Sequence, residues 1–185
     1  MNFKKGNADR IVSVSAILVS LGTLVMILYQ TNLMRKEQRA SAMPALTIGY
    51  ALSEEDGYLT EAVWIENRGL GPAFVESVKI IDEEGAFETD PYDYVRKRLE
   101  ADEIKHYNRL YAGRILPADE GFTMVRKRTD STSTMLFSNT FEFLTKISSM
   151  PQDKENKAVI EVLYESIYGD QWVVRSDEPG RRRVD

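Results

Sequence analysis

His106 is the only histidine in this 185-residue sequence, and there is no cysteine. Without thiols, disulfides, thiolate metal sites and cysteine nucleophiles are excluded, while the redox compartment stays open. His106 stands in Lys105-His106-Tyr107 with no nucleophile or orienting carboxylate at a recognisable spacing, so it reads as a surface or helix-end residue. The carboxylate pairs Glu54/Glu55 and Glu83/Glu84 fall in turn-forming stretches without the ligand spacing of a calcium loop. Carboxylate-only hydrolysis would need two acids converging at about 5–9 Å in a pocket. Gly69-Leu70-Gly71-Pro72 lacks the helix, lysine and hydroxyl residue that follow the glycines of a phosphate loop. Three basic runs, Arg96-Lys97-Arg98, Arg126-Lys127-Arg128 and Arg181-Arg182-Arg183, read as solvated faces or as contacts to anionic headgroups. A net charge of −5 argues against nucleic acid as the partner. No catalytic residue, metal or cofactor is assigned.

The elements that would carry any function divide the chain unequally. Residues 1–10 form an N-terminal tail and 11–29 a transmembrane helix. Ile11–Tyr29 carries no charge and no proline, and as a helix it spans about 28 Å, close to the hydrocarbon thickness of a bilayer. A cleaved signal peptide is the rival, with Ala40-Ser41-Ala42 imitating a cleavage site. The apolar run is too long for it, and Arg35, Lys36 and Arg39 intervene. Basic residues tie across the two flanks, and the lysines that lead the chain tilt the expectation towards a domain outside the cytoplasm. Ser13, Ala16, Ser20 and Thr23 share one helix face, a candidate surface for self-association or for docking on another membrane helix. Residues 30–44 continue as a helical stalk that Pro44 stops.

Residues 45–176 read as a mainly β, antiparallel, immunoglobulin-like sandwich with two short inserted helices. Strands are expected at Leu46–Leu52, Leu59–Glu66, Ala73–Ile81, Lys157–Glu165 and Gln171–Arg175, with weaker candidates at Arg109–Leu116 and Gly121–Arg128. Ser53-Glu54-Glu55-Asp56-Gly57 and Asp82-Glu83-Glu84-Gly85 supply turns. Asn67, Gly69, Gly71 and Pro72 mark a structural hairpin connection. Asp90 caps a helix that begins at Pro91 and runs to about Glu103, and a second helix spans Asn139 to Ser149. Gly169-Asp170 suits a type II′ turn. Tyr168 and Trp172 on that final hairpin are a candidate partner surface, and residues 177–185 a flexible tail.

The anchor with its Gln-Thr-Asn-Leu-Met-Arg continuation, Ala-Ser-Ala-Met-Pro, and Glu-Asn-Arg-Gly-Leu-Gly-Pro-Ala-Phe resemble a group of uncharacterised bacterial single-pass membrane proteins. Those carry one N-terminal helix and a small sandwich-like domain with an N-x-G-x-G-P-A hairpin. The resemblance covers most of the chain and implies an address in the bacterial cytoplasmic membrane. It implies no reaction. The functional expectation is therefore a membrane-anchored binding or assembly module, an accessory subunit whose partners are the bilayer and another protein. The alternatives are a tethered carboxylate hydrolase and an envelope sensor that signals through helix association.

Overall fold

In the computed structural model the described residues are 5–98, 104–130 and 158–184. Helix α1, Lys5–Ser41, is one unbroken element of 37 residues. Nothing in its sequence interrupts the backbone ladder before Pro44, which has no N–H to donate and pushes Met43 out of helical angles. Its apolar side chains, from Ile11 to Tyr29, are exposed all round. It is the one described helix long and apolar enough to cross a bilayer, with mean hydropathy 2.5 over its most apolar stretch. The helix and the chain that follows are two separate compact units, Met1–Ser41 and Ala42–Asp185.

The second unit is mainly β, and every strand pairing in it is antiparallel. One sheet runs β1 (Leu46–Glu55), β2 (Tyr58–Asn67), β7 (Gly121–Asp130), β5 (Ile104–Tyr107). The other runs β10 (Arg181–Val184), β9 (Gln171–Arg175), β8 (Val159–Glu165), β3 (Ala73–Asp82), β4 (Gly85–Glu88), with β6 (Ile115–Leu116) also against β3. Period-two alternation sends Val63, Ile65 and Met124 from the first sheet, and Val75, Ile80, Ile160, Val162 and Tyr164 from the second, into a single core. Trp172 stacks on Tyr164 in that core, ring centroids 5.9 Å apart.

Helix α2, Pro91–Arg98, lies between β4 and β5. Asp90 caps it as expected, its carboxylate accepting from the Tyr92 and Asp93 amides at 2.7 and 3.3 Å. Tyr94 and Val95 pack it into the core, and the Tyr94 hydroxyl donates to Asp82. The second expected helix, Asn139 to Ser149, lies outside the described residues. Among the described residues of the domain α2 is the one helix.

Several boundaries differ from the sequence reading, each for a local reason. The first turn is only Asp56-Gly57, with φ of 51° and 76°, so β1 extends to Glu55 and β2 starts at Tyr58. Those angles fit the two-residue type I′ loop, for which Asp-Gly is the preferred pair. Arg109–Leu116 is strand only at its last two residues. Its backbone bonds are diverted instead, Leu110 N–H to the Asp90 carboxylate and Gly113 N–H to Val75 C=O. The final turn is wider than a II′ loop: Ser166 N–H donates to Asp170 C=O at 2.9 Å across Ile167, Tyr168 and a left-handed Gly169. Arg181–Val184 belongs to the expected flexible tail but forms β10 on β9. Arg183 pairs with Asp170 at 2.8 Å, and the Arg181 guanidinium sits over the Trp172 ring.

Candidate functional site

The most heavily built feature of the domain is the lock around Asn67, at the end of β2. Asn67 is fully buried. Its side-chain oxygen accepts from the Ala45 and Gly69 amides, both at 3.0 Å. Its amide nitrogen is placed to donate to the carbonyls of Gly71, Leu116 and Pro117 at 2.9, 3.0 and 3.1 Å. Its backbone bonds Glu120 and Asp119 at 2.8 and 2.9 Å. One carboxamide thus ties together the start of β1, the loop after β2 and the turn before β7. The asparagine side chain offers two donors and an acceptor with two lone pairs, so it can satisfy both kinds of orphaned backbone group at once.

The loop it organises grips the segment Ala42–Ala45, the first residues of the domain. Arg68 N–H donates to Ala45 C=O at 2.9 Å and Leu70 N–H to Met43 C=O at 3.0 Å. The backbones approach so closely that a Cβ on Gly69 would overlap the Ala45 amide, and one on Gly71 the Ala42 carbonyl. From the other side Arg181 donates to Pro44 C=O, and Leu46 N–H reaches the buried Tyr164 hydroxyl at 3.4 Å. Burial raises the Tyr164 pKa, which keeps the hydroxyl neutral. The sequence marked Asn67, Gly69, Gly71 and Pro72 as a hairpin connection. It gave no sign that the loop clasps the segment directly following α1, because the clasped residues carry no motif. Leu70, at the tip, is 72% exposed.

The other candidates separate. Trp172 is buried and leaves the proposed partner surface, since its register partner is Tyr164 and the two share the core face. Tyr168 is exposed beside Ile167, which the sequence reading overlooked although it occupies the same loop. On α1, the Ser20 and Thr23 hydroxyls donate to the carbonyls of Ala16 and Val19, both at 2.8 Å; Ser15 and Thr31 bond in the same way. The Ser13, Ala16, Ser20 and Thr23 face is therefore small but has its Ser20 and Thr23 protons already engaged.

A cleft of about 500 Å³ is lined by Glu76, Glu88, Asp90, Asp93, Arg109 and Tyr111, among others. Three of its four acids have structural partners. Asp90 holds the α2 cap and Leu110, Asp93 pairs with Arg109 at 3.4 Å, and Glu88 faces Lys79 at 3.8 Å. Burial pushes the Asp90 pKa up against the pull of its backbone donors. Among the described residues no group of three or more His, Asp or Glu is placed to hold a metal ion. His106 lies in β5 opposite Arg126.

No family model, curated protein or solved structure matches this chain. The domain offers a clasp, strand edges and loop tips, with the Asp82 and Asp90 carboxylates bonded to loop backbone.

Proposed function

We propose that this chain is a membrane-tethered binding and assembly module, an accessory subunit of a larger complex in the bacterial cytoplasmic membrane, with its domain on the extracytoplasmic side. The observation that carries this reading is α1: an uncharged run from Ile11 to Tyr29, exposed on every side, in a helix that has no polar face to turn to water. The domain is read as an immunoglobulin-type sandwich. Its order β1-β2-β7-β5 in one sheet and β9-β8-β3-β4 within the other supports that reading, because these eight strands follow the A-B-E-D and G-F-C-C′ arrangement, with β10 added outside β9 and β6 beside β3. Such a domain presents loops and edges to partners, and the clasp on Ala42–Ala45 gives it a firm hold on the chain that carries it. The resemblance to bacterial single-pass proteins supplies the proposed address.

The test uses the absence of native cysteine. Ala112→Cys sits in an exposed loop, and Ile17→Cys lies within the apolar run. In cells with a permeabilised outer membrane, an impermeant thiol reagent is expected to label the first before lysis and the second only after the bilayer is dissolved. Labelling of Ala112→Cys only after lysis overturns the side. Recovery of the chain in the soluble fraction, with Ile17→Cys labelled freely, overturns the tether.

A further inference from the structure

Among the described residues, the four outer strands of the two sheets are unequally protected. β4 and β5 are four residues long, and β10 carries three consecutive arginines. Short strands and charge are common protections against unwanted pairing. β1 is ten residues long and bears no lysine, arginine or proline, and its pairing with β2 runs without a bulge. Among the described residues no strand pairs with its outer side.

Which backbone groups face outwards follows from the register. Arg68 N–H bonds Ala45 C=O, and residues 45 and 68 are opposite one another in the register that pairs Leu46 with Asn67. In an antiparallel ladder bonded pairs alternate with unbonded ones. Thr47, Gly49, Ala51 and Ser53 therefore bond to β2, while Ile48, Tyr50, Leu52 and Glu54 present N–H and C=O to the open side. The two-residue turn at Asp56-Gly57 agrees, since it closes on a bonded Glu55–Tyr58 pair. Leu46 agrees too, with its amide turned away from β2 to the Tyr164 hydroxyl.

The surroundings of this edge are acidic at both ends. Glu54 and Asp56 are exposed at one end. At the other, Leu46, Thr47 and Ile48 share a cleft of about 360 Å³ with Arg175, Asp177 and Glu178. The Arg175 guanidinium lies 3.7 Å from Glu161, 3.0 Å from Asp177 and 3.9 Å from Glu178, so three carboxylates meet one cation there. Of the neighbouring cations, Arg128 lies over the Tyr58 ring, Arg181 is turned to Pro44 and Trp172, and Arg183 to Asp170.

We propose that the outer edge of β1 is a strand-addition site for an extended peptide segment of a partner protein, about eight residues long, apolar at alternate positions and carrying Lys or Arg near both ends. The length follows from the seven-residue separation of Thr47 and Glu54, about 24 Å of strand. Backbone bonds to Ile48, Tyr50 and Leu52 supply affinity, and the acidic ends select the charge. A second copy of the chain is the wrong occupant. Antiparallel self-pairing would set Glu54 and Asp56 of one copy towards Asp177 and Glu178 of the other, and like charges facing across strands repel. The inference rests on reading the domain as a binding module and names its partner class.

The experiment places the full chain in lipid nanodiscs and titrates the fluorescent probe peptide Lys-Val-Thr-Val-Thr-Val-Thr-Val-Lys. A matched probe has glutamate at both ends. The lysine-ended probe is expected to bind, and the glutamate-ended one at least tenfold more weakly. Leu52→Pro removes an outward N–H only, so the domain should melt as before while binding falls at least tenfold. Should that variant fail to fold, Glu54→Lys combined with Glu178→Lys leaves the backbone intact, brings each end from about −2 to about zero charge, and should remove the preference between the two probes. Equal binding of both probes to the native chain, no binding to it, or an unchanged preference in the double variant would each overturn the proposal. So would a disulfide-linked dimer of Ala51→Cys, which stands at the centre of that self-paired register and would identify a second copy as the occupant. If a photo-crosslinker at Tyr168 captures a partner in native membranes and Leu52→Pro does not alter it, the edge is wrong and the binding module stands.

Discussion

The two connections that flank β2 use glycine for opposite reasons. Before β2, Asp56-Gly57 turns the chain within two residues, and Gly57 is there because its φ of 76° lies in the left-handed region. After β2, Gly69 and Gly71 are required by what lies next to them, the backbone of Ala42–Ala45. The first connection is determined by its own four residues and would look the same in any hairpin. The second exists only because the chain returns to it, and one buried carboxamide, Asn67, underwrites the arrangement. A turn of the first kind can be exchanged for another turn. The second is part of the tertiary structure, and damage to it spreads to β1, β6 and the turn before β7.

That contrast orders the expected effects of substitution. Asn67→Ala should be the most damaging, since it strands two amides and three carbonyls in or near the interior. At about 1–3 kcal/mol for each unsatisfied buried group, even partial rescue by water leaves a loss on the order of 4 kcal/mol. Chemical denaturation of the domain should detect that as a large fall in midpoint, and a midpoint near that of the native chain would remove the lock from the account. Gly71→Ala should follow, at about 3 kcal/mol, because the added methyl meets main chain rather than a side chain that can rotate away. Gly57→Ala in the first connection should cost only about 1 kcal/mol, the penalty for a left-handed alanine. A reversed ranking of these two glycines in paired melts would sink the distinction.

Asp90 falls between the two kinds, joining a local cap with a distant contact. Its carboxylate serves Tyr92 and Asp93 two and three residues on, and also Leu110 twenty residues away. Asp90→Ala should therefore cost about 2 kcal/mol, above an isolated cap and below the Asn67 lock. Its pH dependence has a definite sign. Burial raises the Asp90 pKa in the folded state, so the folded chain binds this proton more tightly than the unfolded one. The stability this group contributes is greatest below the ordinary carboxylate range and falls as pH rises through it. The gap between native chain and Asp90→Ala, measured by urea unfolding near pH 3.5 and pH 7, should widen at the lower pH. A gap that narrows there would mean that the backbone donors, and not burial, dominate.

What the sequence made legible follows the same division. β1, β2, β3, β8 and β9 were visible because alternation and turn residues are local signals, and the Asp90-Pro91 helix start was visible for the same reason. β4 and β5 are too short for alternation to register. β10 reads as a charge run, and only its pairing with β9, Arg183 against Asp170 and Arg181 over Trp172, turns it into a strand. Residues 109–114 have the composition of a strand and are held out of one by bonds to Asp90 and Val75. Trp172 was legible in principle: it alternates with Val174 and stands opposite Tyr164, which places it inwards. Asn67 was singled out as a turn residue when its weight lies in reaching Leu116 and Pro117, some fifty positions along the chain. No local pattern encodes that reach.

The serines and threonines of α1 carry a further consequence. Ser15, Ser20, Thr23 and Thr31 have each given their proton to the helix's own carbonyls. What these oxygens still offer a neighbour in an apolar medium is lone pairs. Two copies of the helix meeting on the face of Ser20 and Thr23, which Ser15 does not share, would bring those two oxygens together acceptor to acceptor. A different helix that brings an amide, an indole N–H or a protonated side chain to the same depth would supply the missing hydrogens. Ser20 and Thr23 therefore enter any helix–helix contact on their face as acceptors.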